Sequence, residues 1–229
     1  MLDVVIATGN AHKVEEVRAV LEPALGGRVR LRGLAELGAF AEPSETGATF
    51  EENSALKALA YATTTGLHCL ADDSGLEVDA LAGRPGVISS HYCTEGRETG
   101  LSRGDRDRLN NERVLRELAG VPPARRGARF VCVVTLARPP RGVEPARVLA
   151  ASRGTFEGRI GEPPRVPAGG GGFGYDPLFL VEAAPYSLGV TSSELIASEK
   201  NRLSHRGAAL RGIMRAVNTL ATVGAGGGL

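Results

Sequence analysis

The sequence predicts an α/β fold, and three observations carry the prediction. Apolar runs of strand length at Leu2–Ala7, His68–Ala71 and Ala128–Ala137 are interleaved with segments whose apolar residues recur at helical spacing. The first strand passes through a small-residue turn straight into a helix, the chain order of α/β proteins. With 229 residues, 42% of them hydrophobic and 23% charged, the chain can bury the core of one large domain or two small ones.

Leu2 to Ala7 reads as a short buried strand, broken by Thr8-Gly9-Asn10. A helix follows from Ala11 to about Leu25, with Val14, Val17, Leu21 and Leu25 on its apolar face. A strand, a tight turn and a helix start together make an anion site, because first-turn N–H groups have no partner within the helix. Lys13 in that turn opposes the helix dipole, which is easier to understand with a phosphate above it. The segment lacks the spacing of the Walker loop, and Asn10 equally suits a plain helix cap.

Residues 28–40 read as one strand and a loop, and 42–47 as a turn-rich connection. Thr49 opens a second helix with Glu52 three residues on, a capping box, and Gly66 closes it after about Thr65. Glu52 is thereby structural, whereas Glu45 has no local explanation. Asn53 and Lys57, four apart, share one helix face, read here as facing water.

His68 to Ala71 leads into Asp72-Asp73-Ser74-Gly75. Neighbouring side chains of an extended segment point to opposite faces, so the two carboxylates cannot both enter one cleft. A carboxylate at a strand end beside a tight turn suits a hard cation such as Mg²⁺, and the same composition is that of an ordinary turn. Leu76 to Leu81 continues extended, 83–86 is a turn cluster and 94–104 a polar loop. Asp105 starts a helix to about Ala119, with Leu109, Leu115 and Leu118 inward and Gly120 as its stop. Val148 to Phe156 returns as an antiparallel partner of Ala128–Ala137, extended by 158–160. The glycine run 169–172 and the Phe173-Gly174-Tyr175-Asp176-Pro177 that follows form a wall to which a ligand can come close. Successive N–H groups there can nest an anion, and an aromatic ring can stack on a base. From Ser193 a short helical stretch carries Glu194, Glu199 and Lys200. Ser204 caps a last helix with Leu210, Ile213, Met214, Val217 and Leu220 on its apolar face. His205 and Arg206 in its first turn are locally unfavourable, so something outside the helix compensates them.

Composition removes several classes. A net charge of +1 exerts no global pull toward nucleic acid or membrane, and 4% aromatic residues with no Trp do not build a stacking platform for single strands. The arginines at 103–108 and 125–129 read as solvated faces. No apolar run approaches the roughly 20 residues of a membrane span, and the N-terminal segment lacks a charged leader. Three cysteines, with Cys69 and Cys132 in apolar runs, suit buried thiols in a reducing compartment. The expectation is a cytoplasmic protein.

Five segments, in order and with compatible spacings, resemble the inosine triphosphate pyrophosphatases, which act on non-standard purine nucleoside triphosphates. They are TGNAHK at 8–13, ETGATFEENSALKA at 45–58, ADDSGLEVDAL at 71–81, GGFGYDPLF at 171–179 and EKNRLSHR at 199–206. The resemblance implies a long mixed β-sheet flanked by helices, in two lobes with an active-site cleft between them. It implies a single domain over 1–223, ahead of a flexible glycine-rich tail at 224–229. It further implies a homodimer that hydrolyses ITP, dITP or XTP with Mg²⁺ to the monophosphate and pyrophosphate, clearing them from the nucleotide pool. On this likeness Asp73 is the catalytic proton acceptor, directed inward with Asp72 across the pleat, and holds Mg²⁺ together with Glu45. Thr8, Gly9, Asn10, Ala11, His12 and Lys13 would hold the triphosphate, and Ser74 would contact the nucleotide. Phe173, Gly174, Tyr175, Asp176, Lys200, His205 and Arg206 would form the base pocket. One position departs: Ser89-Ser90-His91-Tyr92 stands where the family commonly reads Ser-Ala-Arg-Tyr, and a histidine does not guarantee positive charge at neutral pH. Two other readings are a Maf-type nucleotide pyrophosphatase, against which Ser204-His205-Arg206 and Phe173–Asp176 speak, and a nucleotide sensor without hydrolysis. The sensor would need a broken metal site, whereas Glu45 and Asp73 are both present.

Overall fold

Strand pairing settles the architecture. In the computed structural model, which describes residues 1–169 and 172–226, six strands form one sheet in the order β2-β1-β3-β4-β5-β6. They are β1 (Leu2–Ile6), β2 (Val29–Gly33), β3 (His68–Val78), β4 (Gly127–Arg138), β5 (Arg147–Ile160) and β6 (Phe179–Val181). β1 runs parallel to β2 and to β3, while β5 and β6 are antiparallel, so the sheet is mixed. The helices are α1 (Ala11–Leu25), α2 (Phe50–Thr65), α3 (Arg103–Glu117), α4 (Ala197–Leu203) and α5 (His205–Gly226). None of them is long and apolar enough to cross a membrane.

The chain groups into two compact units and passes between them within β3, β4 and β5. Unit 1 comprises Met1–Asp73, Cys132–Gly154 and the chain from His205 on. On one side of its strands, Val4, Ile6, Leu70 and Val134 pack with Val17 and Leu21 of α1 and with Leu210, Ile213 and Val217 of α5. On the other, Val5, Ala7, Cys69, Ala71 and Ala137 pack with Ala58, Tyr61 and Ala62 of α2. The pleat sends alternate residues to two covered faces, which is why these strands read as unbroken apolar runs. Leu21 and Leu210 are fully buried, each stabilising the fold by about 1.5–3 kcal/mol. Unit 2 comprises Ser74–Val131 and Thr155–Ser204. Its core joins Leu76, Val78, Phe130, Phe156, Ile160 and Phe179 of the strands to Val114 and Leu118 at the end of α3.

Helices with local end signals lie where the sequence puts them. Asn10 Oδ1 caps α1 by accepting the His12 N–H at 3.1 Å, and Gly26 ends it in the left-handed conformation. Thr49 Oγ1 accepts the Glu52 N–H at 3.1 Å, and Glu52 reaches back to the Ala48 N–H at 2.6 Å.

Several expectations are corrected. Residues 72–75 form no turn: β3 runs unbroken through Asp72-Asp73-Ser74-Gly75, because hydrogen-bonded neighbours on both sides override a turn-like composition. The extended run stops at Val78, and 79–81 form a 3-10 turn. α3 starts at Arg103 rather than Asp105, capped by Ser102, whose Oγ accepts the Asp105 N–H at 3.2 Å. The helical stretch from Ser193 divides into a 3-10 turn at 192–194 and α4. β6 was not anticipated, being three residues long and defined only by its pairing with Gly158–Ile160. Gly170, Gly171 and residues 227–229 of the expected tail lie outside the described residues.

Candidate active site

The pleat of β3 separates the two carboxylates within unit 1. Asp72 shares the side of Leu70, toward α1 and α5, and Asp73 the side of Ala71, toward α2. Because helices cover both sides, opposite faces do not mean inside and outside: both carboxylates are buried.

Asp72 Oδ2 accepts from Lys13 Nζ at 2.8 Å and from Arg206 Nη2 at 3.2 Å. The Cys132 thiol lies 3.9 Å away. Arg206 also pairs with Glu16 of α1. The basic residues in the first turns of α1 and α5 are therefore compensated by the protein's own carboxylates. Burial alone would raise the Asp72 carboxyl, but Lys13, Arg206 and Lys57 outweigh it and hold it well below the usual carboxylate range.

Asp73 Oδ1 accepts from Lys57 Nζ at 2.9 Å, and the same ammonium lies 3.1 Å from Glu45 Oε1. Asn53 and Lys57 do not face water: they are 2% and 7% exposed. Their helix face is the one covered by the loop before α2, whose Gly47 N–H donates to Asn53 Oδ1 at 2.7 Å. Position 47 must be glycine at this approach, since a Cβ would come within 2.6 Å of Glu52 Cβ. Burial pulls the Lys57 ammonium down, but Asp73, Asp72 and Glu45 together keep it above its ordinary value. Burial pushes the Asp73 carboxyl up to about 6; Lys57 counteracts this and the charge of Glu45 adds to it. Asp73 Oδ2 is buried and takes no hydrogen bond among the described residues.

Thr8 Oγ1 accepts the Asn10 N–H at 3.2 Å, shaping the turn into α1. Gly9, Ala11 and His12 are exposed around the helix start. His205 is buried at the start of α5. The whole group sets Lys13, Lys57 and Arg206 against Glu16, Glu45, Asp72 and Asp73, three cations against four carboxylates.

Mg²⁺ uses one or two protein carboxylates and completes its shell with water and phosphate. Among the described residues no three His, Cys, Asp or Glu side chains gather into a cage for a metal. A buried carboxylate oxygen without a partner, beside a second carboxylate on the same ammonium, suits the Mg²⁺ pattern.

Unit 2 gathers the other expected residues, with Ser74 half-buried in β3. Asp176 Oδ2 accepts from the Phe173 N–H at 2.9 Å and from Lys200 Nζ at 2.6 Å. Lys200 Nζ lies 5.3 Å from the centre of the Phe173 ring. Gly172 has φ of +77°, and a Cβ there would run into Asp176. Tyr175 is no part of an exposed wall: it is buried, and its hydroxyl donates to the Ser89 carbonyl at 2.7 Å. The Gly174 backbone is gripped from α3, its N–H donating to Asp107 Oδ2 and its carbonyl accepting from Asn111 Nδ2, both at 3.0 Å. His91, at the departing position, lies between Ser90 Oγ at 2.9 Å and Glu98 Oε2 at 3.1 Å.

Sequence reasoning missed Lys57 as the bridge between the carboxylates, and Asp107 and Asn111 as clamps. The only signals were polar pairs four residues apart on helices, which are common on solvated faces. An open helix start, three cations and a carboxylate pair with an unsatisfied oxygen, set on one α/β sheet, have the chemistry of a site for phosphorylated ligands. The Ham1 family model matches residues 4–216, and the chain belongs to that family. It is 43% identical over 221 residues to a dITP/XTP pyrophosphatase of Nocardia farcinica, covering 96% of this chain and 97% of that one. To a dITP/XTP pyrophosphatase of Bacillus subtilis it is 42% identical over 211 residues, covering 92% and 94%. A solved structure of a HAM1 protein from Coxiella burnetii matches with a TM-score of 0.77 at 35% identity, over 96% of this chain and all of that one, 100%.

Proposed function

We propose that this chain is a nucleoside triphosphate pyrophosphatase that hydrolyses dITP, ITP and XTP to the monophosphate and pyrophosphate. Family membership and the names of its relatives support the reaction class. The observation in this chain that carries the reading is Asp73, with one oxygen held by Lys57 and the other buried without a partner.

In the metal-free protein burial pushes the Asp73 carboxyl up to about 6, which makes it a stronger proton acceptor than an ordinary carboxylate. Asp73 accepts the proton of a water that attacks the α-phosphorus, while Lys57 fixes the carboxylate plane. Lys13 donates one N–H to Asp72 and has two more for the departing pyrophosphate, which the first-turn amides of α1 also receive. Mg²⁺, held by Asp73 and Glu45, would supply charge neutralisation and a more acidic water. The balance of charges supports that requirement: three cations against four carboxylates repel a triphosphate, and one divalent cation reverses the sign.

Hypoxanthine and xanthine carry an O6 acceptor where adenine carries an amino donor. A donor such as Lys200 accepts the first two bases and leaves adenine's amino group facing another donor, a mismatch that discriminates strongly. We further propose action as a homodimer, which light scattering would check. The decisive experiment measures pyrophosphate release from ITP, dITP, XTP, ATP and GTP with and without Mg²⁺. Equal rates on ATP and ITP would end the selectivity claim, and no release from any nucleotide would leave a binding protein instead of an enzyme.

A further inference from the structure

The Phe173 ring has a second cation over it that neither the reaction nor the base contacts above require. The Arg103 guanidinium carbon lies 4.9 Å from the ring centre. Arg103 is the first residue of α3, and with Asp107 and Asn111 it occupies positions i, i+4 and i+8, one face of that helix. Two members of this face grip the Gly174 backbone at 3.0 Å, so the third is carried to the neighbouring ring by a helix anchored to the same loop. The anchoring fixes the start of α3, and with it the Arg103 backbone, beside the loop that carries the ring.

Charge pairing distinguishes the two cations. Lys200 pairs with Asp176 at 2.6 Å and keeps further N–H donors, and Asp107 accepts from the Gly174 N–H. The Arg103 guanidinium makes no ion pair and no hydrogen bond among the described residues. A base brought to Phe173 therefore comes beside a planar cation that has no ion-pair partner among the described residues. Among 6-oxopurines this matters for one base in particular. As the base of a nucleotide, xanthine loses a ring proton below neutral pH and is then an anion, whereas hypoxanthine stays neutral.

We propose that Arg103 is a specificity-determining residue that favours xanthine over hypoxanthine nucleotides. The inference rests on the reading of Phe173 as the base platform of a nucleoside triphosphate pyrophosphatase.

The test compares kcat/KM for XTP and ITP at neutral pH, with Mg²⁺, in the full chain and three variants. Arg103 is exposed, so its replacement leaves the core intact. Arg103→Ala should lower kcat/KM for XTP about tenfold, equivalent to about 1.4 kcal/mol and mostly through KM, and change ITP by about twofold or less. Arg103→Lys, which keeps the charge, should retain most of the preference. Arg97→Ala, in the preceding loop and paired with Glu95, should leave the XTP-to-ITP ratio unchanged. Equal losses on XTP and ITP, or no loss on either, in an otherwise active enzyme overturn the role of Arg103 alone. A wild-type chain that releases pyrophosphate from neither nucleotide overturns this inference and the proposed function together.

Discussion

Asp72 and Asp73 are neighbours in sequence with opposite electrostatic fates. Asp72 faces three cations and is held ionised; Asp73 shares one ammonium with Glu45 and is held closer to neutral. Asp73→Asn should lower pyrophosphate release from dITP at saturating Mg²⁺ by about 100-fold or more, and near-normal turnover would remove it as the proton acceptor. Its pH signature can be read without turnover. Because the folded carboxyl lies at about 6, above its ordinary 3.8, the native state binds more protons than the unfolded state in that window. Its contribution to stability is full below 3.8 and is lost as pH rises through about 6. In urea unfolding without divalent metal, wild type should therefore lose stability relative to Asp73→Asn as pH climbs through this window; a constant difference would contradict the assignment. Asp72→Asn should behave differently. It leaves the buried Arg206 and the half-buried Lys13 against a neutral amide and should cost about 3 kcal/mol in the same unfolding experiment at neutral pH.

At the scale of elements, α2 does the most to shape the candidate metal site. It supplies Lys57 to both carboxylates and Asn53 to the loop that bears Glu45. Gly47→Ala would press a methyl against Glu52 and Asn53, destabilising the fold by about 1–3 kcal/mol. The displaced loop should also raise the Mg²⁺ concentration needed to increase the melting temperature. An unchanged Mg²⁺ midpoint in the variant would detach Glu45 from the metal. The starts of α1 and α2 and the end of α2 were legible in the sequence because Asn10, Thr49 and Gly66 act on amides and carbonyls a few residues away. The Asp72–Gly75 turn was misread for the converse reason. Its composition is that of a turn, but hydrogen bonds from strands distant in sequence keep it extended.

For the whole molecule, both faces of the unit 1 strands are covered, and this decides which side chains can react. Cys69 and Cys132 are buried while Cys93 is partly accessible, and none of the three is in a disulfide. Burial pushes the Cys69 thiol up to about 11 and the Cys132 thiol up to about 12, so neither is a nucleophile in the native state. A thiol reagent should label Cys93 in the native protein and reach Cys69 and Cys132 only at the rate of global opening. Rapid labelling of all three sites, identified by peptide mapping, would mean that the core is not closed in this way.

The sequence by itself determined the helix ends, the apolar alternation of the strands and the set of chemical groups, and its five motifs pointed to the right family. Each of these depends on interactions within a few residues, or on patterns held in the order of the chain. Only the tertiary structure decided which charge meets which. Lys57 lies between Glu45 and Asp73, Arg206 reaches Glu16 across 190 positions, and Arg103 lies over Phe173. Coulomb energy and desolvation depend on distance and burial in space, and neither is written in the local spacing of residues.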